Sequence, residues 1–308
     1  MEPILDRPRA VSAARAHLDR GFRLEQGGTL DRSLEAYTEA LALAATPAEE
    51  VDARLRIARV YRTLSEYEKS VAAAREAVRL ALEIGADDLA AEAMNVEVGA
   101  LQMRGAFEEA HELALRAFDL ARSPRVRGIT LQNLGRGAAE RGDFETSDRY
   151  FAESVAAFRA ADYDLGVMVA LANAARAALD RGDAARALET GNEAIALARR
   201  LNSLDVLLTA VQNQAAAFVA MGNLEAAEGL LTEALGHFTS AKNPGRQAEC
   251  LEIMGQMCEL RPDPETAVRC YTRARDLAIV ASDRVLIERL TRRMEFITSQ
   301  SAGTNGAL

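Results

Sequence analysis

The 308-residue chain has no tryptophan, and phenylalanine and tyrosine together bring aromatics to only 5%. Cysteine is limited to Cys250, Cys258 and Cys270, with no CxxC pair. That excludes a disulfide framework and reads as reduced core thiols in a cytoplasmic protein. The three histidines, His17, His111 and His237, fall far apart with no cysteine or carboxylate at ligand spacing, so no metal site is expected. Apart from Gly27-Gly28 the glycines occur singly, so no phosphate-cradling loop is expected, and no GxSxG is present. Acidic pairs such as Asp87-Asp88 and Glu108-Glu109 stand where helices start and favour the helix dipole. No catalytic constellation and no cofactor are expected. There is no basic excess: the net charge is −9 and the pI about 5.1, with both signs interleaved. A nucleic-acid partner is therefore not expected, and the charge serves solubility. No run approaches the ~20 apolar residues of a membrane span. The start, Met1-Glu2-Pro3-Ile4-Leu5-Asp6-Arg7, lacks the basic-then-apolar order of a signal peptide.

What the chain has instead is a repeat. A turn residue is followed by a bulky apolar residue at +2 in five of seven copies, and in all seven by a small residue at +5 and Ala or Ser at +12. The turns are Gly28, Ser65, Gly105, Gly142, Gly182, Gly222 and Pro262, spaced by 37 or 40 residues. The +12 residues are Ala40, Ala77, Ala117, Ser154, Ala194, Ala234 and Ala274. A fixed period of this size means stacked supersecondary units rather than one globular core. With 49% hydrophobic residues, rich in Ala and Leu, the chain reads as an all-α stack.

Residues 130–144 show how one unit folds. Leu131, Leu134, Gly135 and Ala138 recur at helical spacing. Arg141-Gly142-Asp143 ends the helix, because glycine accepts the left-handed conformation of a helix terminus. Phe144, Ser147, Phe151, Ser154 and Val155 then line a second helix, whose serines are small because the two helices touch there. Thr46-Pro47-Ala48-Glu49 is a capping box with proline at the first helical position, and Ser123-Pro124 and Asn243-Pro244 read likewise. The pattern predicts hairpins over 9–44, 48–84, 87–122, 125–161, 164–201, 203–240 and 244–281. A capping helix follows over 283–298, with a leader at 1–8 and a disordered tail at 299–308. The cap's apolar Val285, Leu286, Leu290, Met294, Phe296 and Ile297 would cover the last open face.

These residues resemble the tetratricopeptide (TPR) repeat. Leu131, Leu134, Gly135, Gly142, Phe144, Ser147, Phe151 and Ser154 follow its pattern in order. Met254-Gly255 repeats the Leu-Gly position, and Gly222, Leu224, Ala227, Leu231 and Ala234 repeat the second half. The usual period is about 34 residues. A period near 40 is similar to the longer-helix kinesin light chain and bacterial sensor branch. The first and seventh repeats depart from the pattern at Arg20-Gly21 and at Pro262 and Pro264. The resemblance implies a right-handed α-solenoid of about seven TPR hairpins plus a C-terminal capping helix. It also puts the first helix of each hairpin on the concave wall.

Asn133, Asn173 and Asn213 each stand nine residues before a turn glycine, about 200° around the helix from the core residues Leu131, Leu171 and Val211. They are expected to point away from the core. An amide offers donor and acceptor together, so such a ladder suits the backbone of an extended peptide. The position is similar to the asparagine of TPR peptide clamps. Arg136 and Arg176 lie one turn on, Gln132 and Gln212 lie beside the ladder, and Arg56 and Arg59 occupy matching positions in the second repeat. Together they predict a groove preferring an acidic or carboxylate-bearing segment. Arg136/Glu140 and Arg176/Asp180 also have the spacing of ordinary surface pairs, worth ~0.3–0.5 kcal/mol. Two functions fit. One is a non-catalytic protein-interaction scaffold binding an extended peptide or a helix of a partner in the concave groove. The other is a regulatory sensor of a small-molecule or peptide signal, acting on a kinase, cyclase or transcription factor.

Overall fold

A computed structural model describes residues 12–26, 29–201, 203–281 and 283–304. The expected leader and the first turn residue, Gly28, lie outside these. Among the described residues every regular element is an α-helix. In order they are α1 (Ala13–Gln26), α2 (Leu30–Ala42), α3 (Pro47–Thr63), α4 (Tyr67–Glu83), α5 (Asp87–Arg104), α6 (Phe107–Leu120), α7 (Pro124–Glu140), α8 (Phe144–Ala160), α9 (Asp164–Asp180), α10 (Ala184–Arg200), α11 (Leu204–Ala220), α12 (Leu224–Ser240), α13 (Pro244–Leu260), α14 (Pro264–Val280) and α15 (Arg284–Thr304). Odd-numbered helices are the first members of the hairpins and even-numbered ones the second. The last helix continues to Thr304, where the composition of the segment suggested a disordered tail from residue 299.

The small residues explain the period. The +5 residues Ser33, Ser70, Ala110, Ser147, Ala187, Ala227 and Ala267 are all buried. The +12 residues from Ala40 to Ala274 are each 0% exposed. A larger side chain at either position would hold the paired helices apart. The serines gain more than space: Ser33 Oγ donates to the Gly21 carbonyl at 3.0 Å and Ser70 Oγ to the Ala58 carbonyl at 2.8 Å. These bonds tie second helix to first without leaving a buried hydroxyl unpaired.

The turns follow the expected chemistry. Gly142 has φ 76°, and the amides of Gly142 and Asp143 reach back to the carbonyls of Ala139 and Ala138 at 2.9 and 3.0 Å. That is the double closure of a helix ended by a left-handed residue. Thr46 accepts from the Glu49 amide at 3.3 Å, while the Glu49 carboxylate accepts from the Ala45 amide at 2.9 Å. Asn243 caps α13 in the same way, at 3.1 Å from the Arg246 amide. Each such cap contributes about 1 kcal/mol.

The chain forms two compact units, residues up to 137 with 156–161, and 138–155 with residues from 162 on. In the first, α1/α2, α3/α4 and α5/α6 stack as antiparallel pairs. Their core runs through Leu18, Tyr37, Ile57 and Val60, then Val51, Leu55, Ala77 and Ala93, then Met94, Ala117 and Val126. In the second, α9 to α14 pair likewise and α15 packs on α14. Leu286, Leu290, Met294 and Ile297 of α15 close over Tyr271, Ala274 and Ala278, the covering role expected of the cap, whereas Phe296 of the same expected set lies 50% exposed.

Candidate functional site

Within each unit, successive first helices also touch one another: α1 with α3, α3 with α5, α9 with α11 and α11 with α13. The face of a first helix that turns away from its own partner therefore meets the next first helix. Residues there are shared between packing and any open surface.

This sharing corrects the expectation for the asparagines. Asn133 and Asn213 are buried, at 9% and 7% exposure, instead of pointing into open space. Asn133 Nδ2 donates to Asn95 Oδ1 at 3.0 Å and to the Asn95 carbonyl at 3.3 Å. Asn95 Nδ2 donates in turn to Thr130 Oγ1 at 2.8 Å. The chain of amides fastens α5 to α7. Asn213 Nδ2 donates to the Ala172 carbonyl of α9 at 3.1 Å. Asn173, between them in sequence, is half-buried and makes no side-chain hydrogen bond among the described residues.

The arginines and glutamines divide similarly. In the first unit, Arg56 bonds Asp52 at 2.9 Å and lies over the rings of Phe22 and Tyr37 at 5.9 and 5.7 Å. It fastens the first hairpin to the second. Arg59 approaches Glu92 at 3.5 Å. Arg136 Nη2 donates to Gln102 Oε1, while Gln102 Nε2 donates to the Asn133 carbonyl at 3.1 Å. Gln132 is half-buried beside them.

In the second unit, Arg176 Nε bonds Asp180 at 3.1 Å, the ordinary surface pairing. Gln212 is 1% exposed, and its Nε2 donates to Glu249 Oε2 at 2.7 Å. Its Oε1 is buried without a donor among the described residues. Glu249 also accepts from Arg246 Nη1 at 2.8 Å. Burial pushes this carboxyl up, but Arg246, Arg176 and Gln212 outweigh it and hold it below the usual carboxylate range. Asn173, Arg176, Gln212 and Glu249 thus give the faces of α9, α11 and α13 a mixed set of donors and acceptors.

Sequence reading missed the acidic partners and the end of the second unit. Arg289 makes a paired contact with Glu252 at 2.6 and 2.7 Å, and Arg293 with Glu259 at 2.9 and 2.7 Å. A cavity of about 710 Å³ lies there, lined by Glu252, Gln256, Tyr271, Arg289, Arg293 and Phe296. The signal was present as opposite charges 37 and 34 residues apart, close to one period. Of the cysteines only Cys250 is a core residue; Cys258 and Cys270 are half-buried. No group of three or more metal-ligating side chains occurs among the described residues. No helix of the described chain is long and apolar enough to cross a membrane.

No known family profile and no curated protein matches the sequence. Solved structures do match. Aspartyl phosphate phosphatase F from Bacillus subtilis superposes with a TM-score of 0.68 at 15% identity, over 86% of this chain and 70% of that one. A Rap protein complexed with competence and sporulation factor gives 0.65 at 16%, over 94% and 76%. A signal transduction ATPase with a tetratricopeptide repeat sensor, from Pyrococcus horikoshii, gives 0.60 at 16%, over 90% and 44%. At these identities the likeness is one of fold: the chain is a stack of tetratricopeptide-type helical hairpins.

Proposed function

We propose that the chain is a non-catalytic interaction scaffold that holds an extended peptide segment of a partner along the inner faces of α9, α11 and α13. The observation that carries this reading is Asn173, a half-buried side-chain amide that makes no hydrogen bond among the described residues. A peptide backbone offers an N–H and a C=O to such a group without its side chains being read. Among the described residues the Arg176 guanidinium hydrogen-bonds through its Nε only, to Asp180, which leaves its Nη groups as donors for a peptide. Asn133, Asn213 and Arg56 are assigned to holding hairpins together instead.

A second reading, a regulatory sensor of a peptide or small-molecule signal, draws support from two of the similar structures. One contains competence and sporulation factor, and the other carries a repeat sensor. The deciding experiment is a pull-down from native lysate with wild type and Asn173→Ala/Arg176→Gln. A protein retained by wild type and lost by the variant supports the scaffold. Equal retention by both removes these faces from the binding surface. A rise in melting temperature with a protein-free low-mass extract, absent in the variant, supports the sensor.

A further inference from the structure

Counting eight residues back from each turn gives Arg20, Ile57, Glu97, Leu134, Ala174, Gln214 and Met254. Leu134 and Met254 are the apolar half of the Leu-Gly position, and Ile57 and Leu134 are core residues, 7% and 1% exposed. Glu97 of α5 is buried just as deeply, at 5%, and it is a carboxylate. A charge at such a position costs stability unless it is paired and hydrogen-bonded. Tying two helices there does not require one. Gln214 bonds Asn192 of α10 at 2.8 Å across the same 22 residues that separate Arg75 from Glu97, and that pair is neutral.

Glu97 is only half provided for. Its Oε1 accepts from Arg75 Nε of α4 at 2.6 Å, while Arg75 Nη2 turns to Glu109 of α6, also at 2.6 Å. Its Oε2 takes no hydrogen bond among the described residues and is not sealed from solvent. Glu97 lines a cavity of about 350 Å³ between the second helices α4 and α6. Arg75 and Val78 form one wall, and Glu109, Glu112, Leu113 and Arg116 the other. Glu112 and Arg116 make no salt bridge among the described residues. Three glutamates against two arginines leave the lining with a charge of −1. Arg104 and Glu68, bonded to each other at the rim, cancel. Burial pushes the Glu97 carboxyl above the usual range; Arg75 pulls against it, Glu109 adds to it, and Arg116 does not make up the difference.

We propose that this cavity seats a primary ammonium group on an aliphatic stem, which enters between α4 and α6 and meets Glu97 Oε2. Val78 and Leu113, both half-buried, give the stem apolar walls. One monocation balances the lining. A single open oxygen suits the point charge of an ammonium, whereas a guanidinium needs both oxygens for its fork, and Arg75 already holds Oε1. A lysine side chain of a partner and a free alkylamine share this chemistry. The seat belongs to the first unit and does not draw on the peptide-holding reading of α9, α11 and α13.

Dansylcadaverine, a pentyl chain ending in an ammonium, tests this by fluorescence anisotropy at low salt. Glu97→Gln keeps the shape and loses the charge, and is expected to weaken binding about tenfold or more. Glu35→Gln, the same charge change on an exposed residue of α2, is expected to change it by less than about twofold. Val78→Phe fills the cavity and keeps every charge, so it should also weaken binding, and it carries the test if Glu97→Gln does not fold. Pentylamine and the peptide acetyl-Gly-Lys-Gly-amide should displace the probe. Pentanol and acetyl-Gly-Arg-Gly-amide should do so at least about fivefold less well. Either pentylamine or the lysine peptide as the better competitor sustains the seat and tells which source it prefers. No binding by wild type, equal binding by Glu97→Gln and Glu35→Gln, or equal displacement by pentanol and pentylamine overturns it.

Discussion

Tyr271 of α14 lays its ring against the bare Cα of Gly255 in α13, where a Cβ would stand 2.4 Å from Cε1. Tyr37 does the same to Gly21 at the other end of the chain, also at 2.4 Å. Each tyrosine hydroxyl then donates to a glutamate four residues after the glycine, Glu259 or Glu25. The two repeats whose sequences depart most from the pattern therefore share one device for locking a hairpin.

Gly255→Ala should for this reason destabilise the second unit, although alanine is the better helix former by about 1 kcal/mol. Tyr271 is 1% exposed and held at both ends, so its ring has nowhere to go. Overpacking of this kind costs about 1–3 kcal/mol. The melting temperature should fall, and Gly255→Ala/Tyr271→Leu should recover part of the loss. A single variant as stable as wild type would show that the ring yields freely.

The three asparagines should separate in a stability measurement. Asn133→Ala strips Asn95 of a buried donor and should cost about 1–3 kcal/mol. Asn213→Ala loses one bond to a carbonyl that also serves its own helix, and should cost less. Asn173→Ala should leave unfolding within about 0.5 kcal/mol of wild type. Denaturant titrations of the three single variants give the ranking, and equal losses at all three would contradict the assignment.

Asp88 should make part of the stability depend on acid. Its carboxylate accepts from the Arg122 and Ser123 amides at 2.7 and 3.1 Å, joining the start of α5 to the end of α6. Burial pushes its pKa up, but these amides outweigh it and hold it below the ordinary value. A carboxyl depressed on folding contributes stability above its unfolded pKa, near 3.9, and loses it as pH falls through the folded value. Asp88→Asn should melt below wild type at pH 7, with the gap closing as the pH drops below about 4. A gap independent of pH would make the role one of shape alone.

Iodoacetamide should rank the cysteines. Burial, and then Glu249, push the Cys250 thiol up to about 12, so at neutral pH it offers almost no thiolate. Cys258 and Cys270 are also raised, burial being the main cause, but both are half-buried. Mass spectrometry of native protein should find Cys250 unmodified after Cys258 and Cys270 have begun to react. All three should label in denaturant.

The hairpins were legible because their requirements are steric and local. A turn that needs positive φ at Gly142, or contact that admits only alanine at Ala77, leaves few residue types, and the period follows. The site was less legible because it depends on what the neighbouring helix presents. Asn133 finds Asn95, which stands ten residues before its turn and so falls outside the nine-residue register that made the ladder visible. Asn213 finds a main-chain carbonyl, which no side-chain pattern reveals.

The contact between a residue three before one turn and the next first helix has a consequence for how such a chain can grow or shrink. Each hairpin carries half of two junctions, and the halves are chemically different: Arg62 of α3 lies against the bare Gly99 of α5, while Gln102 of α5 meets Arg136 of α7. Excising one period, from Glu66 to Gly105, would set Arg62 opposite Arg136, two guanidiniums with neither the glycine nor the glutamine between them. The order of the hairpins is thus written into their seams, and shuffling by duplication or deletion would have to rewrite a seam each time.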